Sequence, residues 1–390
     1  MLLILCVIIL VHSTASWAGD PCPPKGELPH CTCTRKPIEI ASEPLINVTT
    51  LVPLRPQRSV KTAETPFPEH PNNTAFYTIV DCKVSKSLVA LEEAVATALN
   101  RKWVDKLIVT NVPPKNEHTL ARLPKSWLKN VRVKQFEVRD SVLSGDFIWY
   151  GNPFEGQAQS LLWFTATRCY LTGALTYETA GTVNTRGLNS LPRIEGIDLT
   201  YNHLTVITAT AFRYPPTNLT SVDLSHNSIQ SIESSTFHYS PFLKQVNLSH
   251  NLLESILRAI FASPARSLEH IDLSWNSLTV LPADFFINMP ALKKVNLEKN
   301  FLYSMPEKPW AAIWKMLTYL DITGNFIECD CNLLWLLPII SPPAVNVTTT
   351  PAPKPLPGQI IRGTCSRIMK PTLFATNYEL VTLTRDRLLC

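Results

Sequence analysis

Leu219-Thr-Ser-Val222-Asp-Leu224-Ser-His-Asn227-Ser-Ile229 is followed 24 residues on by Leu243-Lys-Gln-Val246-Asn-Leu248-Ser-His-Asn251-Leu-Leu253, the same apolar pattern around one asparagine. With the first leucine as position 1, the pattern also starts at Ile194, Leu268 and Leu292, so the intervals are 25, 24, 25 and 24 residues. Position 4 is Ile197, Val222, Val246, Ile271 and Val295, and position 6 is always leucine. Position 9 is Asn202, Asn227, Asn251, Asn276 and Asn300, and position 19 is Phe212, Phe237, Phe261, Phe286 and Trp310. A period of two puts positions 4 and 6 on one side of a short strand and position 5 with its neighbours on the other. The asparagine falls where the chain turns out of that strand, and its amide can satisfy the backbone groups the turn buries. The aromatic at position 19 fills the opposite side, so no helix is needed there. One unit cannot bury its own apolar face, and the units must stack into a curved solenoid with a parallel sheet on its concave side.

The pattern continues in both directions. Leu317, Leu320, Ile322, Asn325 and Ile327 begin one more unit. Upstream, Leu161, Phe164, Ala166, Cys169 and Leu171 fit, with Cys169 in the asparagine slot. Val133, Phe136, Val138, Ser141 and Leu143 fit loosely, and Val104, Leu107 and Val109 barely, so about nine strands are expected. The pattern resembles that of leucine-rich repeats, L-x-x-L-x-L-x-x-N-x-L. The fold class is then an α/β-type solenoid, a horseshoe with a concave parallel sheet, a mostly irregular or short-helical convex side, and capped ends. Cysteine is an accepted alternative to asparagine in this repeat, so Cys169 is expected to be a buried, unpaired thiol. A catalytic thiol would need a His or carboxylate beside it, and the sequence places none there.

The chain ends carry export and cap signals. Leu2 to Val11 is almost wholly apolar, and Ser16 and Ala18 are small residues three and one before Gly19, which reads as a signal peptide over residues 1–18. That core is too short for a membrane span, which needs roughly 20 apolar residues, and no later stretch is long enough. The chain as given is expected to be secreted and to have no membrane span. Of the ten cysteines, Cys6 leaves with the signal. Cys22, Cys31, Cys33 and Cys82 form one group of four, and Cys329, Cys331, Cys365 and Cys390 a second. In an exported chain such groups read as disulfide-stapled caps, while zinc would call for CxxC spacing or a histidine pair that neither group has.

Cys329-Asp-Cys331-Asn-Leu-Leu-Trp335-Leu, with Cys365 and Cys390, resembles the cysteine-flanked C-terminal cap of extracellular leucine-rich-repeat proteins, the Slit-like, chaoptin-like and Toll-like ectodomains. Cys22, Cys31-Thr-Cys33 and Val80-Asp81-Cys82 resemble the matching N-terminal cap, although 48 residues separate Cys33 from Cys82, far more than is usual. The resemblance covers residues 22 to 390. It implies the pairings Cys329–Cys365, Cys331–Cys390, Cys22–Cys33 and Cys31–Cys82. It also implies binding of a protein ligand or a cell-surface protein, with no enzymatic activity and no cofactor. The organisation expected is an N-terminal cap over 19–84 with a proline-rich insert, repeats over 85–327 (divergent up to 193, regular from 194), and a C-terminal cap over 328–390 with a Pro/Thr-rich insert. A chain ending on the last cap cysteine would also suit the truncated ectodomain of a membrane receptor.

Composition limits the chemistry. With 45% hydrophobic residues the chain has ample core material, and a net charge of +5 is too mild to imply nucleic acid. Glycine is scarce at 12 residues, against a glycine-rich phosphate loop, and no GxSxG or HExxH occurs. Five N-x-S/T sequons stand at Asn47, Asn72, Asn218, Asn247 and Asn346, with Asn247 at position 5 of its strand. His226 and His250 share position 8 of adjacent repeats, close enough for a metal or a pH response, although Leu-Ser-His-Asn also serves as an ordinary turn. The partner surface is expected on the concave sheet and its rim, where Tyr201, His226, His250, Trp275 and Lys299 recur at position 8, and Lys294 and Tyr319 at position 3. The alternative is a matrix component that binds glycosaminoglycan. Residues 101 to 139 support that reading, with ten Lys/Arg against three Asp/Glu.

Overall fold

The computed structural model describes residues 22–23, 27–28, 30–37, 76–84, 88–114, 120–148, 150–177, 183–337, 359–369 and 374–390. The signal peptide, the bulk of both proline-rich inserts, and Asn47, Asn72 and Asn346 lie outside these residues.

Twelve strands form one sheet whose spatial order is the chain order. At the N-terminal edge Cys31–Pro37 runs antiparallel to Phe76–Lys83. Every later pairing is parallel, through Trp103–Thr110, Arg132–Arg139, Trp163–Thr167, Gly196–Asp198, Ser221–Asp223, Gln245–Asn247, His270–Asp272, Lys294–Asn296, Tyr319–Asp321 and Ile360–Arg362. The registers align like positions: Val222 opposes Ile197 and Val246, and Asp223 opposes Asp198 and Asn247. Positions 1, 4, 6 and 11 of the regular repeats are buried throughout, as Leu219, Val222, Leu224 and Ile229 illustrate. Behind the sheet the position-19 aromatics touch in series, with Phe212 5.2 Å from Phe237 and Phe237 5.9 Å from Phe261. The core is therefore one continuous filling between a sheet and a column of rings, and each unit is stabilised only by its neighbours.

The divergent half departs from expectation in three ways. Its strands Trp103–Thr110 and Arg132–Arg139 have eight residues each, against three in the regular repeats, although their sequence pattern is the weakest. The parallel sheet also begins inside the expected N-terminal cap, because Phe76–Lys83 already pairs in parallel with Trp103–Thr110. Third, the convex side carries an eleven-residue helix, Leu88–Ala98, which buries Leu91, Ala94, Val95 and Ala98 at helical spacing. A further sheet on one flank joins Thr172–Thr176, Val183–Asn184, His203–Ile207 and Ser231–Ile232.

The structure contains the disulfides Cys22–Cys33, Cys31–Cys82 and Cys329–Cys365. The expected pairing of Cys331 with Cys390 is corrected: both are exposed free thiols. A bridge between Asp330 and Leu389 brings them side by side. The Cys331 thiol is turned to the Leu389 carbonyl at 3.7 Å, and its hydrogen bond with Cys390 pushes the Cys390 thiol up to about 11. Among the described residues no helix is long and apolar enough to cross a membrane.

Candidate partner-binding surface

The turn that leaves each strand is built from three side-chain positions. The position-9 asparagine is the first. Asn251 donates Nδ2–H to the carbonyls of Leu224, Leu248 and Ser249 at 3.0–3.1 Å, and its Oδ1 accepts from the Ile229 amide at 3.0 Å. Asn202, Asn227, Asn276 and Asn300 do the same in their repeats, and Asn325 bonds the Leu297 and Ile322 carbonyls and the Leu302 amide, so every asparagine joins its own turn to the one before. Position 5 is the second. Asp198, Asp223, Asn247, Asp272, Asn296 and Asp321 each accept the backbone N–H two residues on. Position 8 is the third, and there the backbone is left-handed in nine successive turns, at Asn111, Asp140, Arg168, Tyr201, His226, His250, Trp275, Lys299 and Gly324.

Cys169 fills the asparagine slot by a substitution of partners. Its buried thiol donates to the Val138 and Thr167 carbonyls, the places an asparagine amide would take. The Leu143 amide, which a side-chain oxygen would receive, is accepted by the Cys169 carbonyl instead at 3.2 Å. Burial pushes this thiol up to about 12, which disfavours the nucleophilic thiolate. Alkylating reagents should therefore label Cys169 only after denaturation, and Cys169→Asn should retain folding better than Cys169→Leu, which strands buried carbonyls. Rapid labelling of the native protein would contradict this.

The left-handed turns decide where the position-8 side chains point. A non-glycine residue in that region costs roughly 1–2 kcal/mol, and here it is clamped by hydrogen bonds from each position-8 amide to the carbonyl of the next turn. The side chains consequently leave the sheet and stack along its rim. Tyr201 lies 4.1 Å from His226, His226 lies 4.1 Å from His250, and His250 lies 5.1 Å from Trp275, with every interplanar angle at 14° or less. The Lys299 ammonium closes the column 5.7 Å from the Trp275 ring. Burial, and then His250, holds His226 below its usual range, which favours the neutral ring. Trp275 is 47% exposed.

The position-3 residues form a second, separate column on the sheet, Gln245, His270, Lys294 and Tyr319, which borders a groove of about 360 Å³. Between the two columns runs the position-5 row, which sequence reasoning singled out only at Asn247. Its signal was present as Asp or Asn two residues before Ser or Thr in most repeats. Within that row Asn247 donates to Asp223 at 2.9 Å and Asn296 to Asp272 at 3.0 Å. The Asn247 sequon nitrogen therefore lies in the groove and is engaged with Asp223, whereas Asn218 is exposed outside it. The two expected partner columns are thus not one continuous patch, because a hydrogen-bonded polar row divides them.

Five of the ten basic residues between 101 and 139 form ion pairs among the described residues. Lys106 and Arg139 pair with Glu137, Lys134 with Asp105, Arg122 with Asp146, and Lys129 with Glu155. Among the described residues no group of three or more His, Cys, Asp or Glu could hold a metal ion.

Residues 217–278 match the family model described as leucine rich repeat. Together with the stacked parallel-strand architecture, that makes this chain a leucine-rich-repeat protein. The solved structure described as "Crystal structure of TLR13-ssRNA13 complex" is similar at 16% identity and a TM-score of 0.41, over 62% of this chain and 28% of that one. No curated protein matches the chain.

Proposed function

We propose that this protein is a secreted or cell-surface binding module that recognises a protein partner through the rim and concave face of its regular repeats, without catalysis. One observation carries the reading: aromatic and cationic side chains occupy successive left-handed turns, where glycine or asparagine would cost least, and form an exposed ordered column. Aromatic side chains supply much of the energy of protein interfaces, and rings already held in a stack lose little entropy on binding. The glycosaminoglycan alternative is the weaker reading, because half of the ten basic residues that suggested it are engaged by carboxylates. Trp275→Ala is the test. It removes a half-exposed ring that lines no core, so the fold should persist and partner affinity should fall roughly tenfold or more. The partner would be found by pull-down with the full chain on its native cells, and affinity measured by surface plasmon resonance. A change within a factor of about two in an intact protein would move the site elsewhere.

A further inference from the structure

The ring column has one uncovered end. On its C-terminal side it is closed by Lys299, but on its N-terminal side the next position-8 residue, Arg168, does not continue the stack. Its guanidinium turns to Asp140 of the preceding repeat and bonds both carboxylate oxygens, the second at 3.2 Å. Among the described residues the only ring or cation against Tyr201 is His226. A cavity of about 530 Å³ opens at that end. Its lining includes Arg168, Tyr201 and His226 at position 8 and Val142, Tyr170 and His203 at position 10 of their repeats. Tyr170, 61% exposed, sits 5.5 Å from His203 at a tilt of 56°, so two more ring surfaces border the opening.

The charges present define what fits. Asp140 gives both oxygens to Arg168, so an incoming cation finds no unpaired carboxylate there. Arg168 commits Nε and Nη2 to the same pair, so an incoming phosphate or carboxylate competes with a carboxylate already in place. What is offered is exposed ring surface on Tyr201, Tyr170 and His203. We propose that the cavity receives a flat, neutral aromatic side chain of the protein partner, which stacks on the uncovered face of Tyr201 and is edged by Tyr170 and His203. This rests on the partner-binding reading above, and it identifies the kind of residue the partner presents.

The test needs no partner. The full chain is titrated with N-acetyltryptophanamide by saturation-transfer NMR, with N-acetylleucinamide as the apolar control. The indole probe should saturate in the low millimolar range, about what so small a ligand reaches in an open site, and the leucine amide should bind far more weakly. Tyr201→Ala should weaken the indole probe roughly five- to tenfold. Val142→Phe, which leaves the stack in place and fills the cavity, should also abolish binding, and it serves if Tyr201→Ala fails to fold. Phe242→Ala, which removes an exposed ring outside both the column and the cavity, should leave probe binding unchanged. Equal binding of the leucine amide, undiminished binding to Tyr201→Ala or Val142→Phe, or no saturation of the indole probe overturns the proposal. If the probe fails while Trp275→Ala still weakens the partner, the rim reading stands and the aromatic cavity alone is lost.

Discussion

Replacing Asn251 by leucine should lower the unfolding free energy by about 3–5 kcal/mol, one of the largest losses any single substitution here can produce. Asn251 is 5% exposed, and its amide serves the carbonyls of Leu224, Leu248 and Ser249 while its oxygen takes the Ile229 amide. A leucine of similar size removes all four bonds and returns none. Each buried backbone group left unpaired costs about 1–3 kcal/mol, and relaxation of the turn recovers part of the sum. Asn247→Ala, four residues earlier, is the control. That side chain is half-buried on the sheet surface and makes two bonds, to Asp223 and the Ser249 amide, so about 1 kcal/mol is expected. Urea denaturation followed by circular dichroism would measure both, and a loss below about 1 kcal/mol for Asn251→Leu would mean that the ladder is ornamental.

The same turn explains how far the sequence could be read. Positions 1, 4, 6, 9 and 11 are legible because burial and hydrogen bonding admit few residue types there, and the registers of the regular strands follow from them. Position 8 tolerates Tyr, His, Trp and Lys, so composition says nothing about its left-handed backbone. That backbone, rather than strand alternation, lifts the rings off the sheet into a rim column divided from Lys294 and Tyr319 by the Asp/Asn row. The helix Leu88–Ala98 was legible in its spacing, with Leu91, Ala94, Val95 and Ala98 on one face, but the repeat template carries no helix in that place. The cavity beside Tyr201 was not legible at all. It exists because Arg168 pairs with Asp140 of the preceding repeat instead of stacking, a choice between two partners that no local pattern encodes. Cys331 and Cys390 make a similar point, since a shared cap motif brings the sulfurs together while the geometry leaves them as two thiols.

Phe237→Ala should cost about 3–5 kcal/mol and should also break the cooperativity of the solenoid. Phe237 is 1% exposed and is the middle ring of the convex column, between Phe212 and Phe261. Its backbone also ties adjacent repeats, through its own amide and the Ile260 carbonyl at 2.7 Å. The walls of the resulting cavity are rings held by their own repeats, so collapse is restricted and the void persists. In a stack stabilised by nearest-neighbour interfaces, weakening a central interface uncouples the two sides. The variant is therefore expected to unfold in two steps, with the lower transition carrying part of the wild-type denaturant slope. Phe242→Ala is the matched control. That ring is 58% exposed and fills no column, so its loss should stay within about 0.5 kcal/mol and leave a single transition. Chemical denaturation read by far-ultraviolet dichroism and by tryptophan fluorescence would separate the two behaviours. Coincident transitions in Phe237→Ala, with the slope unchanged, would mean that coupling runs chiefly through the concave sheet and its asparagine ladder, and that the ring column only fills space.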